Sequence, residues 1–266
     1  DIPNKEEPFT LELTSVKINL PVSVTVRQKI HIETSDIKNS RISSFTKIGN
    51  KFVCTNTTNK RLIIISTSSG IVEYFITLPY SPYKVIAVSS DVVVAVLCKK
   101  KILTINISTS KMLKFTIGCK AISHDGNNLY VVIKSKILVI DETQIVRSTI
   151  PSPSDRIHDI TVDLNRLVCI DLTSIYCCSL DGAIIWKLKL NKYLYLRSVT
   201  TDNVGNVFAT NNTNTIVVVY DDGKKYGELD TKRHILDRPN VSYFDKTENV
   251  LLVCTYRGDM FFFLMS

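Results

Sequence analysis

Short apolar runs alternate with polar breaks along the chain, and the clearest copy of this pattern occupies residues 196–229. The runs are rich in β-branched residues, and the breaks between them are rich in Asp, Asn and Gly. Runs of this length with such breaks predict short strands joined by tight turns. The four predicted strands of this copy are 198–201, 207–210, 215–220 and 224–229.

The unit is present in six copies, the last of them incomplete, and its second runs are centred on Val53, Val94, Val131, Val168, Val207 and Leu252. Gly70, Gly182 and Gly223 fall at the same turn in three copies, where glycine adopts positive φ without a steric penalty. A four-stranded sheet this small cannot bury both faces alone, so the copies must stack around an axis. The sequence therefore predicts an all-β, six-bladed β-propeller. Its predicted blades are 44–77, 83–116, 119–150, 157–190, 196–229 and 239–266.

The last copy contains only three runs, and an unassigned strand-like alternation lies near the start of the chain, at 22–33. We expect residues 28–34 to supply the fourth strand of the last blade, which would close the ring and remove its free edges. The predicted domain is therefore 22–266, preceded by a linker or N-terminal extension at 1–21. With 266 residues and 44% hydrophobic content, the chain can bury this core without a second domain.

The apolar runs are all much shorter than the roughly 20 residues that a membrane-spanning helix needs, so no membrane partner is expected. Most of the seven cysteines lie within or at the ends of predicted strands as small apolar residues, which favours a reduced, cytoplasmic setting. Secretion stays open as an alternative, because glycosylation triplets occur in the chain. They begin at Asn56, Asn106, Asn211 and Asn240.

The stretch SVTTDNVGNVFATNNTNTIVVVYDDG, at 198–223, resembles an NHL repeat, in which Asp-x-x-Gly-Asn separates two apolar strands and Asp-Gly follows a third. More widely, QKIHIE, NRLVCIDLTSIYCCSLDGAIIW and LLVCTYRGDMFFFL are similar to the C-terminal propellers of invertebrate tripartite-motif (TRIM-like) proteins. The similarity covers about residues 20–266 and is most specific at 157–266.

This resemblance implies a cytoplasmic recognition propeller that, in full-length members, follows a RING finger, B-boxes and a coiled coil. No Cys-x-x-Cys pair occurs here, so ubiquitin-ligase activity would require a longer protein. Oligomerisation would likewise come only from an upstream coiled coil. The family's second-strand aspartate corresponds to Asp171 in the fourth blade and is replaced by Thr210 in the fifth. The remaining blades lack it and are degenerate copies.

A propeller enzyme needs histidines or carboxylates that converge on the central channel, usually around a metal. Of the four histidines, only His158 lies at the start of a first strand and is placed to face that channel. A single histidine there is more often structural, so we predict no catalytic residue, no metal site and no cofactor. Asp181-Gly182 with Trp186 resembles an aspartate box, but we interpret it as a hairpin with Trp186 packed between blades.

The predicted loops separate charge between the two ends of the propeller, within a chain of net charge +8. One end, here called the basic rim, collects the blade-to-blade links and the loops between second and third strands, and nine segments of it contain 15 Lys or Arg against 5 Asp. Its segments are 56–60, 78–84, 98–101, 118–120, 134–136, 151–159, 191–197, 230–239 and 256–259. The hairpins of the other end carry 6 basic and 11 acidic residues. Turn preference for Asp and solubility are the alternative explanation for this difference.

Aromatic residues are interleaved with the cations of the basic rim, which favours a binding surface for an acidic partner. The candidate residues are Tyr83, Lys84, Lys99, Lys100, Lys101, Lys120, Arg156, Tyr193, Tyr195, Arg197, Arg238, Tyr256 and Arg257. The first hypothesis is a non-enzymatic recognition module that binds a protein or peptide client. The alternative is a propeller that binds single-stranded RNA, with bases stacked on the tyrosine rings. A propeller enzyme is the third, which the scarcity of channel ligands argues against.

Overall fold

The computed structural model describes residues 16–17, 24–32, 41–98, 101–115, 117–163, 165–191, 195–212, 214–229, 236 and 238–265. All regular structure within these ranges is β-strand. Two strands, β1 (Val16–Lys17) and β2 (Val24–His31), precede the first complete blade. Blade 1 contains β3 (Ile42–Ile48), β4 (Lys51–Asn56), β5 (Arg61–Ser66) and β6 (Val72–Thr77). Blade 2 contains β7 (Pro82–Ala87), β8 (Val92–Leu97), β9 (Lys101–Asn106) and β10 (Met112–Phe115).

The remaining blades repeat the same order. Blade 3 contains β11 (Ala121–His124), β12 (Asn128–Ile133), β13 (Lys136–Asp141) and β14 (Val146–Pro151). Blade 4 contains β15 (Asp159–Asp163), β16 (Arg166–Ile170), β17 (Ser174–Ser179) and β18 (Ile184–Lys189). Blade 5 contains β19 (Leu196–Thr201), β20 (Val207–Asn211), β21 (Ile216–Val219) and β22 (Lys225–Leu229). Blade 6 contains β23 (Pro239–Asp245), β24 (Val250–Thr255) and β25 (Asp259–Met265), completed by β2.

The four strands of each blade pair antiparallel in chain order, with β2 beside β25 in blade 6, and the six sheets form a ring. The predicted six-bladed β-propeller is therefore confirmed, with blade limits within about three residues of those expected from the sequence. The first strand of each blade lines the central channel, and the fourth strand lies at the outside. Antiparallel pairing places the blade-to-blade links and the loops between second and third strands at one end, as predicted for the basic rim.

The ring closes through β2, which pairs antiparallel with β25 from Val24 opposite Met265 to His31 opposite Asp259. This confirms that an N-terminal strand completes the last blade. The strand begins earlier than the predicted residue 28, and residues 33–34 lie outside the described ranges. Residues 16–17 of the predicted linker pair in parallel with β22, while the rest of 1–21 lies outside the described ranges.

The hydrophobic core is divided among the interfaces between neighbouring blades, with one cluster at each of the six interfaces. In the cluster between blades 4 and 5, Trp186 is 2% exposed and its indole N–H donates to the Asp221 carbonyl over 2.9 Å. The predicted packing of Trp186 between blades is therefore confirmed. Each blade thus buries the two faces that it could not bury alone.

The three predicted hairpin glycines each contact the outer strand of the preceding blade. Gly70, Gly182 and Gly223 have φ of 70°, 94° and 72°, the left-handed conformation that favours glycine. A Cβ atom at Gly223 would lie 2.5 Å from Cγ of Trp186, and one at Gly182 would lie 2.8 Å from Cγ2 of Ile150. Glycine is therefore required here both for the turn and for the close approach of two blades.

All seven cysteines are free thiols, and six of them are buried. Burial raises the pKa of the Cys54 thiol to about 12, so this thiol is unreactive near neutral pH. Only Cys98 is exposed. Within the described ranges, no helix is long and apolar enough to span a bilayer.

Aspartates order the loops at both ends of the blades through several hydrogen bonds each. Oδ1 of Asp171 accepts the amide N–H groups of Thr173 and Ser174, and Oδ2 accepts the Tyr176 hydroxyl. Burial alone would raise the pKa of Asp171, but these hydrogen bonds outweigh it and hold the pKa below 3.8. Asp171 thus orders the loop between β16 and β17.

The lowered pKa of Asp171 predicts acid sensitivity. Its contribution to stability is complete above the unfolded-state pKa of about 3.9 and is lost as the pH falls through the lower folded-state pKa. We expect the midpoint temperature of thermal unfolding to decrease when the pH is lowered below about 4. We expect Asp171→Asn to reduce this dependence of the midpoint on pH. Thermal unfolding followed by circular dichroism from pH 7 to pH 2 measures this, with Asp222→Asn in an exposed turn as the control. Equal acid sensitivity of Asp171→Asn and the parent would contradict the prediction.

Candidate binding site at the axial mouth

The inner strands of the propeller have no neighbour on the channel side, so their backbone N–H groups need other acceptors. Side-chain oxygens of the preceding blade supply them. The Ser44 hydroxyl accepts the Val85 amide over 3.1 Å, and the Ser198 hydroxyl accepts the Ser242 amide over 3.2 Å. A second row of the same kind lies deeper in the channel, where Thr46, Ser123 and Thr200 accept the amides of Ala87, Val162 and Phe244.

Blade 4 carries an aspartate where blades 1 and 5 have Ser44 and Ser198. Oδ2 of Asp159 accepts the Val199 amide over 3.0 Å, as the serines do for their neighbours. The second oxygen, Oδ1, accepts from Nζ of Lys84 over 2.6 Å. Because Lys84 belongs to blade 2, this ion pair reaches past blade 3 and crosses the channel. It is largely buried, with side-chain exposures of 18% for Lys84 and 4% for Asp159.

A cavity of about 180 Å³, here called the axial vestibule, lies at the mouth of the channel on the basic rim. Each of the six blades contributes at least one residue from the start of its first strand. The lining residues are Ser43, Tyr83, Lys84, Lys120, His158, Asp159, Arg197, Ser198, Asn240 and Val241. Four of the residues predicted from the sequence, Tyr83, Lys84, Lys120 and Arg197, therefore line one cavity.

Cationic groups outnumber anionic groups in the axial vestibule. Lys84, Lys120 and Arg197 come from blades 2, 3 and 5, and Asp159 is the one carboxylate among the described lining residues. Nζ of Lys120 donates to the Asp155 carbonyl over 2.5 Å, and Nε of Arg197 donates to Oδ1 of Asn212 over 2.7 Å. Both cations are thus held by neutral acceptors, and neither is paired with a carboxylate of the described residues. The vestibule carries two net positive charges and suits an anion.

His158 has a structural contact at this mouth. Nε2 of its ring lies 2.8 Å from the Leu196 carbonyl oxygen, and since a carbonyl only accepts, Nε2 carries the hydrogen. The contact joins blade 4 to the start of blade 5. His158 lines the vestibule as its placement predicted, and its ring is committed to this inter-blade contact.

Three predicted residues lie on blade-to-blade links, each two positions before a residue that lines the vestibule. They are Arg156, Tyr195 and Arg238, and all three are exposed. Tyr195 is 53% exposed with φ of 63°. These side chains surround the mouth without being part of the cavity.

The loops between second and third strands place Lys101, Tyr256 and Arg257 farther from the axis, outside the vestibule. Nζ of Lys101 donates to the Tyr80 hydroxyl over 2.8 Å and lies 4.1 Å from the centre of that ring. The Arg41 guanidinium lies over the Tyr256 ring at 5.4 Å. Lys99, Lys100 and Tyr193 lie outside the described ranges.

Tyr83 is held in a similar way. Its hydroxyl donates to the Cys119 carbonyl over 2.6 Å, and its ring packs against the cluster between blades 2 and 3. Burial raises the pKa of Tyr83 well above the usual range, and burial also raises the pKa of Cys119, to about 12. Two rings of the predicted stacking surface, Tyr83 and Tyr256, are therefore already engaged within the propeller, as is the neighbouring ring of Tyr80.

Below the vestibule, the first strands of all six blades line a larger axial cavity of about 370 Å³. Lys84 lines both cavities, so the Lys84–Asp159 ion pair lies at their boundary. At the far end, Lys246 donates to Asp163, which also accepts the Thr201 hydroxyl over 2.9 Å. Burial lowers the pKa of His124 in this channel. Among the described residues, no three His, Cys, Asp or Glu side chains are grouped to hold a metal ion.

The sequence analysis did not identify Asp159, Ser43, Ser198 or Asn240 as site residues. A positional signal for them exists, because one residue from the start of each first strand reaches the mouth. These residues are Ser43, Tyr83, Lys120, His158, Arg197 and Asn240, spaced 37 to 43 residues apart. Alignment of the first strands, in place of the second strands, would have brought them together.

Comparison with solved structures supports the architecture. The β-propeller domain of Cps50 (Swd1) from Myceliophteria thermophila matches with a TM-score of 0.66 and 12% identity, over 85% of this chain and 83% of that chain. The chain is a β-propeller. At 12% identity, the likeness concerns the fold alone. No family model matches the sequence, and no curated protein matches it.

Proposed function

We propose that this propeller is a non-enzymatic recognition module that binds an acidic segment of a protein or peptide client on its basic rim. The observation that carries the proposal is the convergence of Lys84, Lys120 and Arg197 from three blades on one cavity with a single carboxylate. Such a surface attracts anions from a distance and binds them where the cations converge. The exposed Arg156 and Arg238 extend the positive surface around the mouth.

The geometry favours a peptide over single-stranded RNA. RNA binding without a duplex relies on bases stacked on free aromatic rings beside a cationic groove. Tyr80 and Tyr256 are covered by cations of the propeller itself, and Tyr83 is half-buried with its hydroxyl bonded. Among the described candidates, Tyr195 is the ring with an exposed surface. The cations converge on a compact cavity, which suits a single acidic group.

The cellular setting belongs to the same proposal. The repeat resemblance at 157–266 supports a propeller of the TRIM-like kind, in which such a module selects clients for a ligase or scaffold. Asp171 orders its loop in the manner that this resemblance implies. Seven free thiols support a cytoplasmic location.

Fluorescence anisotropy with three labelled ligands tests the proposal at low and physiological salt. The ligands are a Glu-rich octapeptide, its Gln-substituted counterpart and a pool of short single-stranded RNAs. We expect the Glu peptide to bind at least about tenfold more tightly than the Gln peptide, since charge-assisted hydrogen bonds contribute about 1.5–3 kcal/mol each. The double variant Lys101→Glu/Arg257→Glu should weaken binding by reversing rim charge. Lys111→Glu, exposed on the opposite rim, should not.

The RNA arm decides between the two partner classes. Sequence-selective RNA binding tighter than peptide binding, with a slope of about −0.7 per neutralised phosphate in log affinity against log salt, would replace the proposal with RNA recognition. Absence of Glu-peptide binding at physiological salt would also overturn it.

A further inference from the structure

The axial vestibule differs from the rest of the basic rim because its cations face a concave, six-sided opening. We propose that it is an anion pocket that takes one acidic side chain of the client, a carboxylate or a phosphoryl group, end-on along the propeller axis. This inference rests on the proposed function and names the point on the rim where the client is anchored.

The charge of the pocket is the first support. Both oxygens of Asp159 are occupied within the propeller, one by Nζ of Lys84 and the other by the Val199 amide. Lys120 and Arg197 form no ion pair with any described residue and donate only to neutral oxygens. An entering anion therefore meets two cations without a paired anion and a third that is shared with Asp159.

The donor inventory is the second support. An ammonium group has three N–H donors and a guanidinium has five, whereas a carboxylate or phosphoryl group only accepts. The Asn240 amide donates to the Ile42 carbonyl over 2.7 Å, and the Ser43 hydroxyl is bonded to the Thr55 hydroxyl at 2.9 Å. The neutral side chains of the mouth are thus held in place. This leaves Lys84, Lys120 and Arg197 to contact the ligand.

The Lys84–Asp159 ion pair sets the depth of the pocket. It lies between the vestibule and the larger channel, and its carboxylate repels an anion that approaches from the rim. An acidic side chain therefore stops at the vestibule, where Arg197 and Lys120 reach it. The peptide backbone that carries this side chain remains outside, next to the exposed Tyr195 and Arg156.

Asp159 also competes with the ligand for Lys84, which leads to an unusual expectation. Asp159→Asn keeps an oxygen that can accept the Val199 amide, removes one negative charge and releases Lys84 to the ligand. We expect it to tighten binding of an acidic peptide by at least about threefold, because removing a nearby like charge favours the anion. Arg197→Gln and Lys120→Gln should each weaken binding by about tenfold, the loss of one charge-assisted hydrogen bond.

The experiment uses the whole chain and pentapeptides with one central residue, glutamate, phosphoserine or glutamine, between glycines and with both termini blocked. Binding is followed by amide chemical shifts in two-dimensional NMR. We expect the glutamate and phosphoserine peptides to shift the Asp159, Arg197, Ser198 and Asn240 amides, and the glutamine peptide not to. Either anionic peptide supports the pocket, and the tighter one names the preferred group. Lys111→Glu is the control that should leave both affinities unchanged.

The outcomes separate this inference from the proposed function. If a Glu-rich peptide binds and responds to Lys101→Glu/Arg257→Glu, but not to Arg197→Gln, Lys120→Gln or Asp159→Asn, the rim function stands and the axial pocket falls. Shifts confined to the mouth with the pentapeptides, but no binding of the longer peptide, would keep the pocket and overturn client recognition by the wider rim. Unchanged mouth amides with both anionic peptides would overturn the pocket directly. Arg197 and Lys120 are exposed, so their variants do not depend on refolding of the core.

Discussion

A chain that begins at residue 33 is expected to lose cooperative unfolding and to self-associate, because it lacks the strand that closes the ring. Without β2, strand β25 presents an unpaired edge along seven residues, from Asp259 to Met265. Exposed edges of this kind pair with other chains. Ile30 and Ile32, 7% and 5% exposed, would also leave the core between blades 6 and 1.

The expected energetic effect is large relative to the stability of a domain. Full burial of each isoleucine contributes about 1.5–3 kcal/mol, before the lost strand pairing is counted, and a domain has about 5–15 kcal/mol in total. Size-exclusion chromatography with light scattering and thermal unfolding measure the outcome. A chain that begins at residue 20 is the matched control, since it keeps β2 and, of the residues that the structure describes, lacks Val16 and Lys17 of β1.

Adding the missing strand back as a separate peptide is a second test of ring closure. A synthetic peptide of residues 22–34, added to the shortened chain, should restore the molecular mass of the parent in solution by adding its strand to the open edge. A shortened chain that keeps the solution mass and the unfolding transition of the parent would show that β2 does not close the ring.

Gly223→Val is expected to lower the free energy of unfolding by about 4 kcal/mol, through backbone strain and overlap acting together. The residue has φ of 72°, where a β-branched side chain is strained, and a Cβ atom there would lie 2.5 Å from Cγ of Trp186. Trp186 cannot retreat easily, because it is 2% exposed and its indole N–H donates to the Asp221 carbonyl.

The corresponding change in thermal midpoint is a fall of about 8–16 °C for a chain of this size. Gly49→Val is the matched control, since Gly49 has φ of 55° and nothing within 4 Å of an added Cβ atom. Gly49→Val introduces the backbone strain but no steric overlap, so it should lower the free energy of unfolding clearly less than Gly223→Val does. Equal destabilisation by the two variants would contradict the packing of this hairpin on Trp186.

Much of the architecture was predictable because the sequence of a six-bladed propeller repeats the same local pattern in each blade. Each blade needs four short apolar runs and tight turns, so strand number, blade limits and the hairpin glycines can be read from spacing alone. The closing strand was predictable as well, because the last copy lacks one apolar run and residues 22–33 form a strand-like run that belongs to no other copy. The exact limits of this strand were not predictable, since the register of β2 against β25 shifts at a bulge between Val26 and Gln28.

The sequence predicted the sign of the charge around the candidate site, but not which side chains line the cavity or which aromatic rings are exposed. Counting charge in loops selected Lys84, Lys120 and Arg197, which line one cavity in the structure. The sequence predicted Tyr83 and Tyr256 as rings available for stacking. In the structure, the Tyr83 hydroxyl donates a hydrogen bond to the Cys119 carbonyl, and the Tyr256 ring lies under the Arg41 guanidinium. Whether a loop aromatic is free depends on which neighbouring blade reaches it, and spacing within one blade does not contain that information.

By itself, the sequence determined a closed ring of six four-stranded blades with a positive and a negative end, because these features follow from local periodicity and turn chemistry. Only the tertiary structure decided that Lys84 pairs with Asp159, 75 residues away, across the channel. It also decided that one residue from each blade meets its five counterparts at a single mouth. The physical reason is that closing the ring brings together the starts of six inner strands, and side chains remote in sequence then share one cavity and one electrostatic field.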